Sequence, residues 1–349
     1  MTDNNKSIMY PFSIILFMFG FNINVNNTNN SCIKKLFQYT FKLIIIIIVS
    51  YFTHRRIAIL TSYHDKFYQT LFPLATFIKV LTVLLSLICI ELKFFKIKKL
   101  ITIISAVLNE NDKRSMILAA KLITIVWFII VTIYVVIVYT CFNYTQPVKI
   151  IMIFMWICVI FGWNIAIIIF LIHICYAVYL IEKRLLIKPI NNITGLDKLE
   201  QDILLTINIK NKINDVLGIF PFIWFCELFT TTCFMLTQTC ISNYKHYLYR
   251  GLLDYSLIAL LKIIYVLILN YFQTLRPTTD EFIACYGKPY SQITSIELIK
   301  RNSIFDIFET YTKCHYMAYN AFAIDIKFLF AFIGSGITFT VMLIQLLNH

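Results

Sequence analysis

The sequence predicts an all-α, polytopic membrane protein with seven transmembrane helices, its N-terminus inside and its C-terminus outside. Three observations predict it. Of 349 residues, 59% are apolar and only 14% charged, against about 45–50% and about 25% in soluble domains. Mean hydropathy is +0.76, which leaves a chain of this size too little polar surface to keep it dissolved. The apolar residues are also grouped into stretches of the length that crosses a hydrocarbon core, about 20 residues. Soluble enzymes, disordered scaffolds and nucleic-acid-binding domains are thereby disfavoured. The net charge of +13 has a simpler source in the Lys and Arg of cytoplasmic loops.

The elements follow in order. Residues 9–21 form an apolar stretch too short to span, followed by a polar Asn-rich run. It reads as an interfacial or re-entrant segment, the alternative being a retained signal anchor. Seven windows then satisfy the length rule: residues 36–53, 71–90, 122–141, 150–181, 213–240, 251–274 and 321–348. The fourth and fifth exceed what a bilayer needs and should tilt or project beyond it. Between the spans, Lys and Arg fall mostly on the N-terminal side, with only six on the other, which sets the orientation. Apolar residues recur at three- and four-residue intervals over 97–108 and 293–308, so both should be amphipathic helices on the inner side. The chain divides into residues 1–35, a cytoplasmic or interfacial segment; 36–274, six transmembrane helices with a ligand pocket; 275–320, a cytoplasmic loop with anchor helices; and 321–349, the last helix.

Within that last window, Gly334-Ser335-Gly336 should break or kink the helix. Beyond it, Thr338, Val341, Met342 and Gln345 fall on one face of a short helix. A Gln in a membrane helix must find partners that lipid does not offer. It either hydrogen-bonds to a neighbouring helix or faces water in a pore built from several copies, where Leu346 could close the path by dewetting.

Intramembrane charges need a partner or a wet cavity. Lys79, Glu227 and Lys262 lie near mid-depth, and Glu227 with Lys79 or Lys262 is the natural pair, either structural or pocket-lining. Tyr134, Tyr139, Trp156, Trp163, Asn164, Asp254 and Tyr255 supply the aromatic faces and few polar groups that suit a small-molecule site, against the alternative of interfacial belt or core packing. Ten cysteines include no CxxC pair and no His/Cys cluster with zinc spacing, so no metal or redox site is expected. Cys141 and Cys240 both end spans on the outer side, where a disulfide is chemically permitted.

The C-terminal residues resemble the motif that ends insect gustatory receptors: Thr-Tyr, five apolar residues, then Gln-Phe. Here it reads Thr338-Phe339, Thr340-Val341-Met342-Leu343-Ile344, then Gln345-Leu346, with Asp325 matching an Asp in the first half of the family's last helix. Phe339 stands for Tyr and Leu346 for Phe, so a gate here is smaller and aliphatic. The resemblance, with the seven spans and the inside N-terminus, implies a tetrameric, ligand-gated, non-selective cation channel in the plasma membrane of chemosensory neurons, opened by a small-molecule tastant. It implies a pore lined by the second half of the last helix, and no catalysis or cofactor. Other readings are an odorant-receptor-like subunit that needs a co-receptor, a membrane transporter, and a metabotropic seven-helix receptor.

Overall fold

The computed structural model describes residues 8–10, 12–19, 21, 32–61, 66–142, 147–185, 193–241, 245–286 and 294–347. It is helical apart from one small hairpin. In order the elements are α1 (Phe12–Met18), α2 (Cys32–Thr61), α3 (Lys66–Val107), α4 (Glu110–Phe142), α5 (Pro147–Lys183), α6 (Ile193–Leu217), α7 (Ile219–Ile241), α8 (Lys245–Thr274), α9 (Thr279–Tyr286), α10 (Ser295–Thr312), β1 (Met317–Ala318), β2 (Phe322–Ala323) and α11 (Ile326–Leu347). The seven apolar windows fall on α2, α3, α4, α5, α7, α8 and α11. Among the described residues five helices are long and apolar enough to cross a membrane, namely α3, α4, α5, α8 and α11, and six spans result when the bent pair α6–α7 is taken as one. In α2 the apolar stretch Gln38–Tyr51 is shorter. The chain is a polytopic membrane protein.

Length alone shows that some helices run past the bilayer. At 1.5 Å per residue the 42 residues of α3 extend about 63 Å, twice the hydrocarbon thickness. The amphipathic stretch 97–108 is the far end of this helix, and its Ile97, Leu100, Ile101, Ile104 and Leu108 are buried. The stretch 293–308 corresponds to α10, which packs on α6. Together with α9 they close a second apolar core of Leu185, Leu196, Leu199, Ile203, Phe282, Ile304, Phe308 and Tyr311.

The main bundle is organised around α5, which packs on α2, α3, α4, α6 and α8. Its apolar stretch is 78% buried, whereas that of α11 is 17% buried. Gly162 lets α4 approach closely. Its carbonyl accepts the Trp127 indole N–H at 2.9 Å, and a Cβ there would stand 3.2 Å from the Trp127 ring. The N-terminal segment inserts into the same region. Ile8, Met9, Ile15, Leu16, Phe19 and Phe21 are buried, and His173 Nε2 donates to the Ile8 carbonyl at 3.0 Å. With seven residues α1 rises only about 10 Å, a fraction of the hydrocarbon thickness.

Two expectations for the last window are corrected. First, α11 is helical without interruption through Gly334, Ser335 and Gly336. A helical Gly costs only about 1 kcal/mol, and apolar residues on both sides favour helix in a membrane. The hydroxyls of Ser335, Thr338 and Thr340 bond back to the carbonyls of Ala331, Gly334 and Gly336, at 2.9, 3.0 and 2.8 Å, and so do not compete for backbone N–H groups. Second, the helix begins at Ile326, because residues 321–325 complete the hairpin and its exit. The other helix break lies elsewhere: α6 and α7 meet at Gly218 with a bend of 49°.

Candidate functional site

The residues singled out by sequence fall into three places. The first is α11. Asp325 starts it, its Oδ1 accepting the Phe328 N–H at 2.7 Å as an N-cap does. One face of the helix, with Leu329, Gly336 and Thr340 buried, lies on α7 and α8. Phe225 of α7 meets Phe328 and Phe332 at centroid distances of 4.7 and 5.7 Å, and Phe229 meets Phe332 and Phe339 at 5.8 and 5.7 Å. Cys233 Sγ–H points at the Gly336 carbonyl, 3.7 Å away.

The opposite face is uncovered. Phe330, Ile333, Gly334, Ser335, Ile337, Thr338, Val341, Met342 and Gln345 are all exposed on it. The stripe Thr338–Val341/Met342–Gln345 is thus one continuous exposed line. Beside it runs an open groove of about 660 Å³ between Phe229 and the α11 residues Ala331, Gly334, Ser335, Thr338, Phe339 and Met342. A Cβ added at Gly334 or Gly336 would meet nothing within 4 Å, so no contact within this chain requires either glycine.

The second place is the α7–α8 interface. Glu227 Oε2 and Lys262 Nζ pair at 2.8 Å, with side chains 3% and 2% exposed. Lys262 also donates to the Trp224 carbonyl at 3.4 Å. Lys79 is buried on α3. The pairing of Glu227 is therefore with Lys262.

The third is the contact of α3, α4 and α5. The Trp163 indole N–H donates to Ser86 Oγ at 2.7 Å, and its ring is flanked by Phe19 and Phe21 at 5.0 and 5.4 Å. Asn164 Nδ2 donates to the Ile160 carbonyl at 2.9 Å, and its Oδ1 is buried without a hydrogen-bond partner. Tyr134 stacks on Phe161 at 3.9 Å. The six ligand candidates among the described residues, Lys79, Tyr134, Trp163, Asn164, Glu227 and Lys262, are thus distributed over different helix interfaces. The side chains of Tyr139, Trp156, Asp254, Tyr255 and Leu346, and those of Cys141 and Cys240, lie outside the described residues.

A polar cluster that sequence reasoning missed ties together α5, α6 and the segment after α8. Buried Glu182 pairs with buried Lys210, and Arg276 Nε stands 3.6 Å from the same carboxylate. Lys210 lies 4.3 Å over the Tyr311 ring, and Arg276 lies 5.6 Å over the Tyr316 ring. Burial pushes both phenols well above their ordinary range, with Glu182 adding to the effect. In sequence these residues look like ordinary loop charges, and nothing in their spacing pairs them.

Comparison with known proteins supplies a fold. No protein-family profile matches the sequence, and no curated protein matches it. Among the solved structures similar to this chain, two match over nearly the whole length. One is the insect olfactory receptor OR5 from Machilis hrabei in complex with eugenol, at TM-score 0.67 and 12% identity, covering 98% of this chain and 99% of that one. The other is a second structure of the insect olfactory receptor OR5 from Machilis hrabei, at TM-score 0.64 and 11% identity, covering 96% and 97%. Matching from end to end in both directions, this chain has the fold of these insect olfactory receptor structures.

Proposed function

We propose that the chain is a chemoreceptor of the gustatory-receptor type: a ligand-gated, non-selective cation channel that a small molecule opens. Seven spans carry it across the plasma membrane with its N-terminus cytoplasmic. Four copies surround a pore lined by the second half of α11. The observation that carries this reading is the uncovered stripe of α11. A helix 17% buried that presents Thr338 and Gln345 on its free face is a poor lipid-facing helix, since an amide in hydrocarbon has no partner. Facing other copies and a water path satisfies those groups, and the C-terminal motif places Gln345 and Leu346 where a gate belongs. No enzymatic step is involved.

Opening is then a population shift. A ligand opens the pore only as far as it binds the open state better than the closed one. Val341, Met342 and Leu346 close the path by dewetting, and Gln345 turns toward the ions when it opens. No Asp or Glu occurs in α11, so cation preference does not come from an acidic ring on this helix.

The test is whole-cell recording from cells expressing the chain, with G proteins blocked, while a panel of small volatile and sapid molecules that includes eugenol is applied. The expected result is a rapid inward cation current, whose ion permeation and agonist response both change in Gln345→Ala. Identical permeation and response in Gln345→Ala would remove the assigned role of that residue. A second reading is a subunit that conducts only with a co-receptor; the structural neighbours are olfactory rather than gustatory receptors. Current that appears only on co-expression with a co-receptor subunit would select it.

A further inference from the structure

The connection between α10 and α11 is built rather than slack. Residues 317–323 form an antiparallel hairpin with Met317 opposite Ala323 and Ala318 opposite Phe322. Its turn residues Tyr319 and Asn320 both have positive φ, 50° and 56°, and the Ala321 N–H bonds to the Ala318 carbonyl at 2.9 Å. Two left-handed residues at a hairpin tip suit Asn-Gly, whereas a Tyr there is held against its own preference. Such a conformation persists only where the surroundings over-determine it.

The surroundings do so from three helices. From α6, the Asn214 side chain grips both flanks of the incoming strand. Its Nδ2 donates to the His315 carbonyl at 2.9 Å, and its Oδ1 accepts the Met317 N–H at 2.9 Å. Four residues on, at the 49° bend, Gly218 gives the hairpin backbone room: a Cβ would stand 2.7 Å from the Met317 carbonyl oxygen and 2.9 Å from Tyr319 N. From α8 and the segment after it, Gln273 donates to the Ile324 carbonyl at 3.4 Å and Arg276 to the Cys314 carbonyl at 2.8 Å. The next residue after Ile324 is the N-cap of α11, and Phe322 stacks on Phe328 of α11 at 4.2 Å.

We infer that Asn214 is a positioning residue for the pore helix: it carries displacement of the α6–α7 bend through the hairpin to the start of α11. The inference rests on the channel reading above. A free linker would absorb a shift of an ångström in soft dihedrals, whereas a paired hairpin pinned at both ends passes it on. The coupled element is thus physically continuous from the Gly218 bend to Ile326, with no segment able to slip.

The test uses the full chain and three variants at matched surface abundance. Asn214→Leu removes both hydrogen bonds while filling a similar volume, and Asn214→Asp keeps only the acceptor. The pair Asn214→Cys with Met317→Cys replaces the grip by a disulfide that a reductant opens. Amide exchange is read over residues 316–332 of purified protein, and current is read in cells with the eugenol-containing panel. Expected are exchange at least about tenfold faster at Ile326–Phe332 in Asn214→Leu, and a maximum current lower by on the order of tenfold. Asn214→Asp falls between. The cysteine pair responds like wild type when oxidised and like Asn214→Leu when reduced, a reversal that mere misfolding does not produce. Unchanged exchange in Asn214→Leu, or a wild-type maximum current in that variant, overturns the inference. If the wild type itself passes no current, alone or with a co-receptor, the channel reading fails instead, and the exchange arm decides by itself whether Asn214 positions α11.

Discussion

At the scale of single residues the strongest constraint is the buried pair Glu227–Lys262, with both side chains almost fully enclosed. Removing one partner of such a pair leaves an uncompensated charge, which costs about 3–5 kcal/mol. Replacing both by apolar groups is often neutral. Glu227→Gln is therefore expected to lower the melting temperature of the solubilised protein clearly, and the double variant Glu227→Leu with Lys262→Met to recover most of the loss. If the double variant is as unstable as the single one, the pair is not the source of the cost. A stable double variant that has lost its ligand response would instead place Glu227 at the ligand. The packing of α7 on α8 selects Lys262 as the partner of Glu227. That Glu227 pairs with Lys79 or Lys262 was legible in the sequence, since one acid in an apolar run has few partners to choose from. Asn214 and Glu182 were not. They sit among many polar neighbours between residues 182 and 217, and only the packing of α5, α6 and the hairpin selects their partners.

At the scale of elements, two glycine sites make opposite claims. Gly162 is pressed by the Trp127 ring, with a Cβ at 3.2 Å, while Gly334 faces open space. Gly162→Leu should force α4 and α5 apart and cost about 1–3 kcal/mol by overpacking, read as a lower melting temperature. In the same assay Gly334→Ala should leave a single copy as stable or raise its stability by up to about 1 kcal/mol through helix propensity. Equal effects of the two substitutions would contradict the packing described. The spans themselves were legible because 20 apolar residues in a row admit few structures. The end of α3 was legible too, through its three- and four-residue spacing. What misled was local: Gly-Ser-Gly is weak punctuation once both flanks are strongly apolar, and α11 runs straight through it. The hairpin gave no signal, since its tip is Tyr319-Asn320 rather than a glycine turn.

At the scale of the whole molecule, burial is unequally shared: 78% of the α5 stretch is enclosed and 17% of the α11 stretch. A helix in the second condition leaves most of its surface to lipid or to another copy. Native mass spectrometry in mild detergent should find a tetramer for the wild type, and Gly334→Ala should shift the distribution toward smaller species if the next copy packs over that glycine. A strictly monomeric wild type, with no partner subunit restoring assembly, would count against the four-copy pore. That the chain lives in a membrane was plain from composition. The arrangement around α5 was not, because a helix apolar on every side offers no face from which to read its neighbours.

The insertion of residues 8–21 into the bundle has a consequence for how the protein is made. The carbonyl of Ile8 is held by His173, 165 residues later in the chain. At synthesis rates of about 5–20 residues per second, that partner leaves the ribosome roughly 8–30 s after the segment it must receive. For that interval the nascent N-terminus is an apolar stretch with no place to go, at the mercy of the insertion machinery and whatever chaperones attend it. Its docking has to wait for α5, so a segment translated well before its partner finds its seat late.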